Sequence, residues 1–313
     1  EKLQTQNNLN VEYKNVMVTN GAKQAIYNLF QVLLNDGDEV IIPAPYWLSY
    51  PQMVRLAGGK PVFLNSSAED GFKINIQDLK SKISPKTKFI IINSPNNPTG
   101  RVMPKEDLLQ IAELVRENKN INILSDEIYE LILKKEFKHL SLASLATDLK
   151  ERIFIINGFA KGWAMTGWRV GYLVGQKDVI KASSALQSQS TSNVCSFVQR
   201  GALEALKINR EFFLEINSHY DLRREVLYKG LKNIEGLFIY PPNGAFYAFP
   251  RLPNKSMTSV EFCKRILNDY GLVVVPGKPF GDDQCIRISC ASSKEKILDG
   301  LTRLEKGILN YYF

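Results

Sequence analysis

The stretch NGFAKGWAMTGWRVGY (157–172) carries one lysine, Lys161, among small, aromatic and aliphatic residues, followed by Arg169. An unpaired ammonium is costly to bury. A lysine in this company either snorkels to the surface or carries an amine whose charge is removed in use. ILSDEIYE (123–130) ends an apolar run in Asp126, Glu127 and Tyr129. The acid there serves either as a helix N-cap or as a carboxylate held under a cationic ring nitrogen, with the tyrosine hydroxyl on the same ligand. INSPNNPTG (92–100) has two X-Pro bonds and a closing glycine, which make a rigid, sharply turned loop. It reads as a plain tight turn or as a ligand loop at the carboxyl end of a strand. VTNGAKQA (18–25) is a strand-to-helix turn with one glycine, and amides at a helix start can cradle a phosphate. Together these pieces are the set that pyridoxal 5′-phosphate needs: phosphate-binding amides, an acid, hydroxyl and amide donors, a lysine and an arginine. A lysine that becomes an imine sheds the cost of burying its charge, and that reading assigns Lys161.

The elements that must hold these residues follow an alternating pattern. VMVT (16–19), EVIIP (39–43), PVFL (61–64), KFIIIN (88–93), INILS (121–125), RIFIIN (152–157) and RVGYLVG (169–175) read as strands. Amphipathic or polar helices are predicted over 22–34, near 48–57, near 75–82 and over 104–118, the last with Pro just inside its start and acids in its first turn. Apolar strands alternating with amphipathic helices predict an α/β layer with a largely parallel sheet covered on both faces. A charged helical stretch over about 209–233 then leads to a different texture. LFIY (237–240), GAFYAF (244–249), LVVVP (272–276) and CIRIS (285–289) read as short strands. They surround a helix at 258–269 and are closed by one at 293–310. That is an α+β module, and the boundary is placed near residue 215, giving a large domain over 1–215 and a small one over 216–313.

Composition narrows the function classes. The 313 residues are 44% hydrophobic and 23% charged, ordinary for a globular protein long enough for two domains. The formal charge of +8 comes from scattered basic residues, whereas a nucleic-acid face concentrates them. No apolar run reaches the roughly 20 residues of a membrane helix. Cys195, Cys263, Cys285 and Cys290 show no CxxC pairing, which predicts buried free thiols in a reducing, cytoplasmic compartment. With only His139 and His219, histidine-rich zinc sites and most histidine-based triads lack their raw material. Both histidines read as surface or packing residues.

The segments NSPNNPTG, SDEIYE, AKGWAMTGWRVGY, PNGAFYAF and CIRIS occur in the order seen in class I aminotransferases of the aspartate aminotransferase superfamily. From about residue 11 to its end the chain resembles that family, most of all the bacterial aspartate aminotransferases, some of which also accept prephenate. The resemblance implies fold type I, with a large domain built on a mostly parallel seven-stranded sheet and a smaller C-terminal domain. It also implies a homodimer with active sites at the subunit interface, and transamination between aspartate or glutamate and a 2-oxo acid. Lys161 then resembles the imine-forming lysine that carries protons between the substrate and the cofactor. Asp126 resembles the acid that keeps the pyridine nitrogen protonated. Tyr129 and Asn97 resemble the donors to the cofactor's phenolic oxygen, and Trp47 in APYWLSY resembles the aromatic stacked on its ring. Arg169 and the amides of Gly21 and Ala22 resemble the phosphate site. Arg287 resembles the arginine that grips the substrate α-carboxylate. Lys23 reads either as a contact to the substrate's distal carboxylate, as in some similar proteins, or as a helix-surface lysine.

Two departures stand out. The family often has serine three residues before the lysine and again just before it, where this chain has Gly158 and Ala160. The sequence opens EKLQTQNNLN without an initiator Met, so the family's lid-like N-terminal segment and the tyrosine that reaches the partner's phosphate are expected upstream. Two other functions share these residues: β-elimination from a sulfur amino acid, and a non-catalytic aminotransferase-like effector domain of a transcription regulator.

Overall fold

Six of the seven strands of the main sheet run the same way, which decides where ligand-binding loops gather. The computed structural model describes residues 1–254 and 256–313. The strands are β1 Val16–Thr19, β2 Glu39–Pro43, β3 Lys60–Leu64, β4 Thr87–Asn93, β5 Asn122–Asp126, β6 Ile153–Gly158 and β7 Gly171–Val174, in the order β1-β7-β6-β5-β4-β2-β3. Only β7 is reversed, antiparallel to both β1 and β6, while the other neighbours pair in parallel. This is the mostly parallel, doubly covered sheet that the apolar runs predict.

The pleat sends alternate residues to opposite faces. Ile90, Ile92, Ile123, Ile153 and Ile155 join one apolar cluster with Leu108, Ile111 and Val115 of the helix Lys105–Glu117. Phe89, Ile91, Leu124, Phe154 and Ile156 join the other. That second cluster holds Ile26, Leu29 and Phe30 of the helix Ala22–Leu33 and Tyr50 and Val54 of the helix Ser49–Leu56. Among the described residues the sequence reading misses the long helices Lys177–Ser190 and Ser196–Ala205 and the single turn Leu142–Leu145. In the first, the buried stripe that starts at Val179 and Ile180 continues through Ser183 and Gln187, so the apolar period is interrupted by polar residues. The Gln187 amide donates to the Val18 carbonyl and accepts from Asn28.

Toward the C-terminus a three-stranded antiparallel sheet, in the order β8-β10-β9, contains β8 Tyr247–Ala248, β9 Val275–Pro276 and β10 Ile286–Ser289. The helices Arg210–Asn233, Ser259–Tyr270 and Lys294–Tyr312 share an apolar cluster with it through Leu227, Leu231, Phe262, Ile266, Leu304 and Ile308. Residue 215 lies within the first of these helices.

The strand expectations here need correction. LFIY forms no strand beyond a single bridge from Phe238 to Arg251, GAFYAF contracts to two residues and LVVVP to two. Their amides have other partners: Gly244 donates to Gly100 and Ala245 to Ile132, which ties this segment to the large sheet's loops. Leu272 donates to Ile266, closing a helix end. The cysteine expectation also changes. All four thiols are free and Cys285 and Cys290 are buried, but Cys263 is half-buried and Cys195, at a helix N-cap, is exposed.

Candidate active site

The carboxyl ends of β1, β2, β4, β5 and β6 lie along one edge of the sheet, and reversed β7 begins there. In register, Thr19 faces Gly171 and Gly171 faces Gly158, while Asn93 faces Asp126 and Asp126 faces Ile156. The residues just beyond these ends therefore converge: Gly21 and Ala22, Trp47 and Tyr50, Asn97, Asp126 and Tyr129, Lys161 and Arg169.

At the end of β5 the pleat separates two adjacent acids. Asp126 turns to the face of Leu124 and accepts a 2.6 Å hydrogen bond from the Tyr50 hydroxyl and a 3.2 Å bond from the Ile128 amide. Burial pushes its carboxyl up to about 6, against the opposing pull of Tyr50, the Ile128 amide and Lys161. Glu127 goes to the other face, where Ser125, Ser141 and His139 bond its carboxylate. Burial opposes that charge, yet His139 and the two hydroxyls hold Glu127 below the usual range, and Glu127 raises His139 despite its burial. His139 is thus a packing residue inside a network, while His219 is exposed.

Lys161 follows β6, half-buried, with its Nζ 5.9 Å from the Tyr129 ring centroid and 5.6 Å from that of Phe246. Burial lowers its pKa, and Arg287 and Arg169 lower it further against the opposing charge of Asp126. The amine is shifted toward its neutral, nucleophilic form. Arg287, on β10, donates to Asn97 Oδ1 at 3.0 Å. Its guanidinium lies between the Tyr247 and Phe280 rings, 4.5 and 4.8 Å from their centroids. The Tyr129 and Tyr247 hydroxyls are 3.1 Å apart.

The loop carrying Asn97 is tied down by side-chain hydrogen bonds. Asn97 donates its amide to Asn93 Oδ1, and Asn93 donates to the Asp126 carbonyl. At the other end of the site Gly21 caps the helix Ala22–Leu33 with φ +79°. A Cβ there would meet Arg169 Nη2 at 2.5 Å, so the glycine lets the guanidinium lie against the helix start. Lys23 is exposed, yet its Nζ leans over the Trp47 ring at 5.1 Å. Trp47 sets its ring edge-on to Tyr50. Among the described residues, Lys23, Lys161, Arg169 and Arg287 have no carboxylate within ion-pair distance. The site is thus a cationic cleft over one buried acid.

The profile of the family described as aminotransferase class I and II matches residues 1–304. The chain belongs to that family. It is 43% identical to the probable aspartate/prephenate aminotransferase of Rickettsia conorii over 98% of this chain and 79% of that protein. It is also 43% identical to the aspartate aminotransferase of Bacillus subtilis, over 95% and 77% of the two chains. The aspartate aminotransferase of Rhizobium meliloti superposes with a TM-score of 0.95 at 36% identity, over 98% of this chain and 80% of that one.

This aminotransferase has the fold type I architecture and works by pyridoxal 5′-phosphate-dependent transamination. Its donor set fits the cofactor: a helix start opened by glycine and backed by Arg169 suits a phosphate, and a buried acid suits a ring cation. A half-buried amine of lowered pKa suits an aldehyde. The relatives' names do not favour the elimination or effector readings. The departure at Gly158 also has a physical cause, since a Cβ there would lie 2.7 Å from the Gly171 Cα. Two contacts were missed from sequence, Tyr50 on Asp126 and Tyr247 on Tyr129. Each is an ordinary aromatic in an apolar stretch, and neither spacing nor period marks it.

Proposed function

We propose that this aminotransferase is an aspartate aminotransferase, with glutamate and prephenate or their oxo acids as further partners, acting as a cytoplasmic homodimer. Residues 1–215 and 216–313 would form its large and small domains. The observation that carries the reading is the cationic cleft itself, in which Lys161 is driven toward neutrality beside buried Asp126 while Arg287 is held ready by Asn97. When bound, the cofactor supplies an electrophilic carbon for the amino group and a ring that accepts electrons. Gly21 and Ala22 offer amides, and Arg169 a planar cation, to its phosphate. Trp47 offers a stacking face. Asp126 holds a proton at the ring nitrogen, and Tyr129 and Asn97 donate to the phenolic oxygen. Lys161 accepts and returns the proton at the substrate Cα. Arg287 takes the α-carboxylate in two-pronged geometry, and Lys23 takes the distal carboxylate of a dicarboxylic substrate.

The test is a half-reaction. Cofactor-loaded protein mixed with aspartate should lose its yellow absorbance and release oxaloacetate, and 2-oxoglutarate should restore the colour. Lys161→Ala should do neither while still retaining some cofactor noncovalently. Cofactor-loaded protein that leaves aspartate untouched, or frees pyruvate and ammonia from cystathionine instead, refutes the assignment.

A further inference from the structure

Tyr247 stands between two groups of the site and touches both. Its hydroxyl is 3.1 Å from that of Tyr129, and its ring face carries the Arg287 guanidinium at 4.5 Å. The ring is 7% exposed and held by sheet pairing: Tyr247 lies opposite Ser289, the next residue on the Arg287 face of β10. We propose that Tyr247 is a positioning residue that couples the occupancy of Arg287 by a carboxylate to the strength with which Tyr129 donates to the cofactor's phenolic oxygen. This rests on the roles of Arg287 and Tyr129 proposed above.

The physical chain is short. For Tyr129 to keep its own proton for the cofactor, Tyr247 must be the donor between the two hydroxyls. A cation on the ring face of Tyr247 polarises its O–H, and a chain of hydrogen bonds passes that polarisation on. Burial raises the Tyr247 pKa, and the hydrogen bond with Tyr129 and then the charge of Arg287 pull in the opposite direction. When a carboxylate neutralises Arg287, Tyr247 becomes a weaker donor and so does Tyr129. The phenolic oxygen then holds negative charge more basically, and the nitrogen beside it keeps its proton to higher pH. Lys161 itself faces Arg287, Arg169 and Asp126, together with the Tyr129 and Phe246 rings. Asn97, bonded to the same guanidinium, offers a parallel route, so Tyr247 carries part of the coupling.

The test uses the cofactor-loaded protein, its visible absorbance titrated against pH with and without saturating maleate, an unreactive dicarboxylate. Tyr247→Phe should raise the maleate-free midpoint by about half to one pH unit, the equivalent of one lost hydrogen bond. The upward shift that maleate causes in the wild type should shrink. Tyr247→Leu, which also removes the ring, should in addition weaken maleate binding by roughly 3- to 10-fold, whereas the phenylalanine variant should bind maleate like the wild type below its midpoint and lose less of that affinity as pH rises, as the smaller shift requires. If Tyr247→Phe titrates as the wild type does, with the full maleate shift, Tyr247 only packs and the proposal falls while the site reading stands. If the wild type shows no response to maleate, the assignment of Arg287 fails and takes the proposal with it.

Discussion

Replacing Asp126 with asparagine tests the electrostatics at the centre of the site. Burial lifts this carboxyl from an ordinary 3.8 to about 6 in the folded protein. An unfolded chain releases that proton near the ordinary value, so between roughly pH 4 and pH 6 the folded state binds a proton that the unfolded state has lost. Stability therefore falls as pH rises through that window and stays lower above it. About two pH units at 1.36 kcal/mol each make this cost ~3 kcal/mol. Asparagine can keep both hydrogen bonds, its carbonyl accepting from the Ile128 amide and its NH₂ donating to Tyr50, and it carries no charge. In urea unfolding of cofactor-free protein, Asp126→Asn should match the wild type near pH 4 and be about 3 kcal/mol more stable at about pH 8. The same variant should bind cofactor more weakly and transaminate at a small fraction of the wild-type rate, because the ring nitrogen loses its counter-charge. A stability gap that does not change with pH, or a variant less stable than the wild type at pH 8, would refute the reasoning.

Tyr50→Phe removes a hydrogen bond to an ionised group, a loss of about 1.5–3 kcal/mol, and should push Asp126 up by a further one to two pH units. Cofactor dissociation constants across pH read this directly: the pH below which affinity weakens should rise by that amount. His139→Ala leaves the buried Glu127 carboxylate without its cationic partner and should cost on the order of 3 kcal/mol. The raised histidine contributes stability that fades as pH climbs past its ordinary 6.5, and the lowered glutamate contributes stability that fades as pH drops below its ordinary 4.5. Unfolding at pH 5.5 should thus show a larger loss than unfolding at pH 8.5.

Much of the fold was legible because its physical signals are local. The seven strands of the main sheet are short apolar runs, and residues such as Phe89 to Ile92 are buried on both faces, so no pairing partner was needed to recognise them. The helix Lys177–Ser190 was not legible, since its buried stripe contains the polar Ser183 and Gln187, and the Gln187 amide is satisfied by Asn28 and Val18, far away in sequence. The small sheet was overestimated because Gly244 and Ala245 give their hydrogen bonds to the loops of the large one.

By itself, the sequence determined which residues could do chemistry: Lys161, Asp126, Tyr129, Asn97, Arg169 and Arg287 belong to motifs whose types and spacing limit what each can be. It could not choose between Asp126 and Glu127 on residue type alone. The alternation of the pleat at the end of β5 made that choice, sending one acid to Tyr50 and the cleft and the other to His139 behind the sheet. It also could not show that Lys161 is shifted toward neutrality. That shift needs burial together with Arg287 and Arg169, which lie 126 and 8 residues along the chain and meet the amine only because the strand ends and β10 close around it. Charges act through distance in space, and only the tertiary structure sets those distances.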